Sequence, residues 1–456
     1  MALHEGKPLP GIRQRALYDN AGDWTCAAVW LNGDLQIGPD PVYPFGACLY
    51  PWTQKNQCGK KGQDNEMPFG FHMLNYKKMI NFWSYKSEYK RLNNKFLRSI
   101  DISLKRGNVF FGDELKKFEK NFLKKNKSKY GAAVGSGTEA LIIALKSLNI
   151  GYGDEVITVS NTAIPTVSAI VNVGATPKYA DIGKDYLIDC KKIQNLINSK
   201  TKAIIPVHLY GQSCNMDLIN QIAKKNKLKV IEDCAQAQGA KFKNKFVGTF
   251  GDLGCFSFYP TKILGAYGDG GFVITKNINL FKRIKRLRFY GIETINKKNK
   301  FFNDYYAQEN GINSRLDEIQ SSILNIKLKY LDQSISKRIK IANYYINQLK
   351  KTSLTLPKEN SKCKHVYHLF TVHHPRGNFI MNQLIKKKIQ SRKIYPHLIH
   401  KMKAYSHLTK VGRNKLNNTE ILNKGIFCLP LYPDLKTKDI RKIIYNLKKI
   451  LSNLRK

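Results

Sequence analysis

Phe256-Ser257-Phe258-Tyr259-Pro260-Thr261-Lys262, followed by Gly265-Ala266-Tyr267-Gly268-Asp269-Gly270-Gly271, is the stretch on which the fold turns. Gly254 to Phe258 is a short apolar run without alternation, the pattern of a strand covered on both faces. Pro260 breaks the strand, and a lysine follows at once. The glycine-rich run after it lets the backbone pass close to a ligand. Upstream, Val230-Ile231-Glu232-Asp233-Cys234-Ala235-Gln236 reads as a strand that delivers a carboxylate into a loop. Further upstream, Gly135-Ser136-Gly137-Thr138 opens a helix.

The neighbouring segments repeat this strand-then-helix design. Ala132 to Val134 runs into a helix over Thr138 to Leu148, and Glu155 to Ser160 into one near Thr166 to Val173. Pro177 to Asp181 is a strand, Ala203 to His208 precedes a helix over Met216 to Lys225, and Lys229 to Asp233 is the next strand. Phe272 to Ile274 adds another, with helices expected over Lys86 to Leu104 and Ser314 to Leu331. Such alternation implies an α/β fold with an open, mainly parallel sheet and ligands at the carboxyl ends of the strands. All the motifs quoted above lie at such ends. From about residue 335 the alternation loosens, which marks a smaller C-terminal α+β domain. The expected division is 1–78, 79–334 and 335–456.

Residues 1–78 read differently. They hold three of the four tryptophans and seven of the sixteen prolines, with a net charge near +1 and no sustained periodicity. They are either a small extra module or an upstream stretch preceding a natural start at Met79.

The chain has 456 residues and a formal charge of +44, with 42% hydrophobic and 11% aromatic residues, as in a globular protein of more than one domain. A charge this large can mark a nucleic-acid or anionic-membrane surface. Here the lysines are scattered through nearly every helix, alongside abundant Ile and Asn, and form no stripe interleaved with aromatics. A compositional bias of the coding sequence is the simpler reading, and neither nucleic acid nor membrane is expected as a partner. None of the nine cysteines is spaced C-x-x-C, so neither a zinc site nor a disulfide framework is expected. No apolar run approaches the roughly 20 residues of a membrane span, and a cytoplasmic location is expected.

Gly135-Ser136-Gly137-Thr138 combines backbone freedom, hydroxyls and free helix amides, which suit a phosphate, although a serine cap after a glycine turn is also commonly structural. Asp233 could cap or pair; chemically, it could keep a pyridine nitrogen protonated and make the ring an electron sink. Gln236 could lie over such a ring or bond the backbone. Lys262 is one lysine among many, but its context supplies the apolar surroundings that favour a neutral, nucleophilic amine. A reactive lysine, a buried acid and an anion-binding helix start are together what pyridoxal phosphate requires of a protein. No G-x-S-x-G or H-E-x-x-H pattern competes, and no metal is expected.

Residues 79–456 resemble the DegT/DnrJ/EryC1/StrS family of sugar aminotransferases. The matching segments are "GSGTEAL", "VIEDCAQAQGA", "CFSFYPTKILGAYGDGG", "NSRLDEIQSSIL", "YPHLIHKMKAY" and "CLPLYPDL", in collinear order. The resemblance implies the aspartate-aminotransferase-like fold, pyridoxal 5'-phosphate as cofactor and a homodimer with shared active sites. It implies Lys262 as the lysine that holds the cofactor and Asp233 as partner of the pyridine nitrogen. Gln236 would lie beside the ring, and Gly137, Thr138 and Ser257 would bind the phosphate. Asn313 would reach the neighbouring subunit's phosphate. The implied reaction is amination of a nucleoside-diphosphate keto sugar, with 3-keto favoured over 4-keto and glutamate as donor. Family members often carry an aromatic residue over the ring where this chain has Ala163. Two alternatives are a pyridoxal-phosphate sugar dehydratase, whose members typically replace the lysine by histidine, and a non-catalytic basic regulatory or nucleic-acid-binding protein.

Overall fold

The computed structural model describes residues 30–31, 34–35, 79–293, 305–408 and 415–454. The chain divides into two compact units, Met1–His72 and Met73–Lys456. In the first, Trp30–Leu31 pairs antiparallel with Asp34–Leu35. The reading of residues 1–78 as an atypical extension otherwise lies outside the described residues.

In the second unit, helices α1 (Lys86–Lys105) and α2 (Asp113–Asn126) precede a seven-stranded sheet. Its strands are β1 (Tyr130–Val134), β2 (Glu155–Val159), β3 (Thr176–Ala180), β4 (Thr201–Ile204), β5 (Lys229–Asp233), β6 (Leu253–Ser257) and β7 (Gly271–Thr275). Across the sheet they run β1-β7-β6-β5-β4-β2-β3. Neighbours from β6 through β3 pair in parallel, while β7 runs antiparallel to both β6 and β1. The sheet is thus mainly parallel α/β, as the alternation of elements implies.

Both faces are covered, which is why the strands read as unbroken apolar runs. Ala132, Val134, Cys255 and Val273 point to one buried cluster with Leu141, Ile143 and Ile231. Ala133, Phe256, Phe272 and Ile274 point to the other, against Phe118 and Phe122 of α2. The phenylalanines of this second cluster meet edge-on or tilted, with Phe122 and Phe256 ring centres 5.1 Å apart.

Helix α3 (Gly137–Ser147) follows β1, and α4 (Ile164–Asn172) follows β2. Ser136 caps α3 by accepting the Glu139 amide at 3.2 Å. The Glu139 carboxylate instead accepts the Ser314 hydroxyl, and Ser314 Oγ accepts the Gly135 amide at 3.0 Å. These bonds explain why the helix expected from Ser314 starts later, at Glu318: residues 312–314 are engaged with 287–290 and with the mouth of α3. Helices α5 (Glu318–Leu328) and α6 (Leu331–Leu349) follow, then the antiparallel pair β8 (Phe370–His373) and β9 (Ile426–Leu429). That pair packs in its own apolar cluster with Tyr345, Ile380 and Leu447.

Candidate active site

The carboxyl ends of β1, β2, β5 and β6 converge, and each brings one part of the site. Beyond β1, Gly137 and Thr138 form the first turn of α3. A Cβ on Gly137 would stand 2.6 Å from Ser257 Cβ, so the helix start and the end of β6 touch only because no side chain intervenes. Ser257 is buried, and its Oγ accepts the Tyr259 amide at 3.3 Å.

After Ser257 the chain turns sharply. Phe258 N donates to Gly270 O, Lys262 N to Tyr259 O and Ala266 N to Phe258 O, at 2.7, 2.8 and 2.7 Å. Gly265 is required there, since a Cβ would lie 2.5 Å from Pro260 O. The turn leaves Lys262 near enough to Asp233 to feel its charge. The residue is partly accessible, but its ammonium end is desolvated, which holds it down to about 8 against the opposing pull of the Asp233 charge. A sizeable neutral fraction near physiological pH is what a nucleophilic amine needs.

Asp233 ends β5 and is 5% exposed. Its Oδ1 accepts the Ala235 amide at 3.0 Å and its Oδ2 the Thr166 hydroxyl at 2.8 Å. Gln236 is buried, with Oε1 accepting the Tyr210 amide at 2.8 Å and Nε2 donating to the Tyr395 hydroxyl. Tyr395 and Tyr210 stack with ring centres 6.5 Å apart, and burial pushes both hydroxyls well up. Thr166, Thr162, Tyr210 and Tyr395 surround the candidate residues Asp233 and Gln236 and were not among the expected site residues. Tyr395 carried a signal as the first residue of the quoted "YPHLIHKMKAY" segment, and Thr162 and Thr166 flank the family-compared position Ala163.

Asn313 is different. It is exposed, and its segment is tied to the mouth of α3 through Ser314 rather than to Lys262 or Asp233. Ala163, where the resemblance expects an aromatic residue, is the N-cap of α4 without a side-chain cap bond, and Ile164 is 46% exposed.

Whether these residues suit pyridoxal phosphate can be judged from the polar groups around them. Among the described residues six buried side-chain atoms lack a protein partner, and three of them are Asn161 Oδ1 beyond β2, Gln238 Oε1 after Asp233, and His368 Nδ1. Gln238 is anchored by its Nε2, which donates to Ser257 O at 2.6 Å. Burial, then the charges of Lys262 and Arg338, push the His368 imidazole far down. Orphaned buried polar atoms, the close Gly137–Ser257 approach and a desolvated lysine in the field of a carboxylate fit a polar aromatic cofactor with a phosphate.

Glu232, beside Asp233, has another role. It is buried with His208, whose Nε2 lies 2.9 Å from Oε2, and it accepts the amides of Gly248, Phe250 and Gly251 at 2.7–2.8 Å. His208 Nδ1 accepts the Cys214 amide at 3.0 Å, so both ring nitrogens are engaged. Cys234 stands close to this pair, but with the donors so committed the group ties loops to the sheet. The described cysteines form no disulfide, and no described helix is long and apolar enough to cross a membrane.

The model of the DegT/DnrJ/EryC1/StrS aminotransferase family matches residues 90–448. A Micromonospora megalomicea dTDP-3-amino-3,4,6-trideoxy-alpha-D-glucose transaminase is 38% identical over 82% of this chain and 99% of its own length. An Aneurinibacillus thermoaerophilus dTDP-3-amino-3,6-dideoxy-alpha-D-galactopyranose transaminase is 39% identical over 80% of this chain and 98% of its own. The crystal structure of ntda from Bacillus subtilis with bound cofactor PMP superposes with a TM-score of 0.72 at 32% identity, covering 79% of this chain and 82% of that one. With a matching model across most of its length, the chain belongs to the DegT/DnrJ/EryC1/StrS aminotransferase family.

Proposed function

We propose that this protein is a pyridoxal-phosphate-dependent transaminase that aminates a nucleoside-diphosphate keto sugar, a 3-keto sugar before a 4-keto one, with glutamate as donor. The observation that carries the reading is the desolvated Lys262 within the field of the buried, doubly hydrogen-bonded Asp233, together with the Gly137–Ser257 contact. Both similar sugar transaminases are named for 3-amino products, which supports the 3-keto preference.

In this reading Lys262 holds the cofactor through its amine, and Asp233 accepts a hydrogen bond from the ring nitrogen. Gly137, Thr138 and Ser257 take the phosphate at the start of α3, where free amides and the helix dipole favour an anion. Gln236, fixed between Tyr210 and Tyr395, borders the ring. When bound, the cofactor supplies an electron sink that acidifies the donor's Cα proton. Lys262 Nζ, once free and neutral, would carry that proton from the donor's Cα to the cofactor's reactive carbon.

The reading includes a cytoplasmic homodimer with shared sites, a cofactor-binding domain over 79–334 and a smaller domain over 335–456. Exposed apolar residues beside Asn313 support the dimer. Val109 and Phe110 lie open, Arg315 covers the Phe110 ring at 4.1 Å, and the exposed Tyr290 bonds Ile312 O through its amide. A second copy on this face would bring Asn313 to the neighbouring phosphate.

The decisive experiment incubates the purified protein, pyridoxal phosphate and glutamate with a panel of 3-keto and 4-keto nucleotide sugars, read by mass spectrometry. A gain of an amino group on a 3-keto substrate is expected. No amination of any member, with the cofactor bound, would sink the proposal.

A further inference from the structure

Asp233 is held by a chain of two hydroxyls that no sequence motif announces. Thr166 lies fully buried in the first turn of α4, with Oγ1 2.8 Å from Asp233 Oδ2. Thr162, also buried, has its Oγ1 3.0 Å from Thr166 Oγ1. Chemistry settles the direction of these bonds. An ionised carboxylate has no proton to give, so Thr166 must donate to Asp233. The Thr166 oxygen is then left to accept the Thr162 proton. Two hydroxyls in series towards a charge polarise each other, and a bond that ends on an ionised group is stronger than a neutral one.

The geometry matters as much as the strength. Asp233 Oδ1 is held by the Ala235 amide of its own loop, while Oδ2 is held from α4. Pinned from two separate elements, the carboxylate plane cannot swing about its terminal bond, a torsion that is otherwise broad.

We propose that Thr166, backed by Thr162, is a positioning residue that fixes the orientation and charge of the Asp233 carboxylate for its partner on the cofactor ring. The inference rests on the assignment of Asp233 made above. Thr166 touches no reacting atom and acts only through Asp233. Neither the size of Thr166 nor its place in α4 is what counts, but its hydroxyl.

Four variants test this: Thr166→Val, Thr166→Ser, Thr162→Val and Asp233→Asn. For each, the apoprotein melting temperature and the dissociation constant for pyridoxal phosphate are measured. The 15N signal of ring-labelled pyridoxal phosphate in the complex and the half-reaction with glutamate complete the set. Thr166→Val should bind the cofactor about tenfold more weakly and react about tenfold more slowly, as expected for one lost bond to a charged group. Its glutamate saturation should be unchanged, and its ring-nitrogen signal should move towards the unprotonated position. Thr166→Ser should restore wild-type values, and Thr162→Val should shift each readout the same way by less. Wild-type behaviour of Thr166→Val, or equal losses in Thr166→Val and Thr166→Ser, would overturn the inference. Should Thr166→Val not fold, wild-type values for Thr162→Val would overturn it instead. Asp233→Asn separates the two levels: if it is as active as wild type, the site assignment itself falls, whereas an impaired Asp233→Asn with a silent Thr166→Val removes only the role of the threonine.

Discussion

Gly137 and Ser257, far apart in the chain, meet so closely that a Cβ on Gly137 would lie 2.6 Å from Ser257 Cβ and 3.0 Å from its Oγ. Gly137→Ala must therefore part the start of α3 from the end of β6. Overpacking of this kind costs about 1–3 kcal/mol. The variant should melt lower and bind pyridoxal phosphate at least about tenfold more weakly, since the proposed phosphate ligands on α3 move away from Ser257. Unchanged melting and unchanged cofactor titration would show that the two elements separate freely.

Lys262 should titrate near pH 8 in the apoprotein. Acylation of Lys262, followed by peptide mass spectrometry across pH, should give a midpoint there, with the amine unreactive below it. Burial lowers this value and Asp233 raises it, so Asp233→Asn should move the midpoint lower still. The linkage has a definite sign. Between about 8 and the ordinary lysine value of about 10.4, the unfolded chain binds more protons at this site, so its contribution to stability grows with pH. A midpoint near that of surface lysines would contradict the desolvated site.

Asn313→Ala should weaken cofactor retention, and mixing it with Lys262→Ala tests whether the residue acts across a dimer. Each variant would disable a different subunit's share, so a mixed dimer should recover one competent site of the two. Heterodimers verified by mass that recover no activity would exclude Asn313 from a shared site.

Glu232→Ala should be severely destabilising without touching the chemistry. It strands His208 and three backbone amides in a buried setting. Leaving buried donors unpaired costs about 1–3 kcal/mol each, visible as a lower midpoint in urea. A change below about 1 kcal/mol would mean that the loop 248–251 is held by other contacts.

A chain beginning at Met79 should fold, bind cofactor and transaminate like the full chain. Starting at Lys86 should not be tolerated, because it removes Ile80 and Phe82 from two apolar clusters and the pairing of Ile80 with Ile389. The loss of two large buried side chains predicts a fall of several kcal/mol, of order 2–5 for each. Equal melting temperatures for the two truncations would contradict this packing.

Strand identity, the α/β class and the lysine-bearing turn were all legible in the sequence, because each depends on near neighbours. An unbroken apolar run means a strand covered on both faces, and Pro260 after Phe258 means that the strand stops. The direction of β7 was not legible, since Phe272 to Ile274 is equally apolar whether it runs parallel or antiparallel. Nor were the partners of the candidate site: Thr166 meets Asp233 across 67 residues, and Ser314 meets Gly135 across 179. A hydroxyl in an apolar stretch carries no mark of the atom that it will bond. That choice is made only when the sheet assembles, because packing sets which helix start faces which strand end, and an unpaired buried donor is too costly to leave.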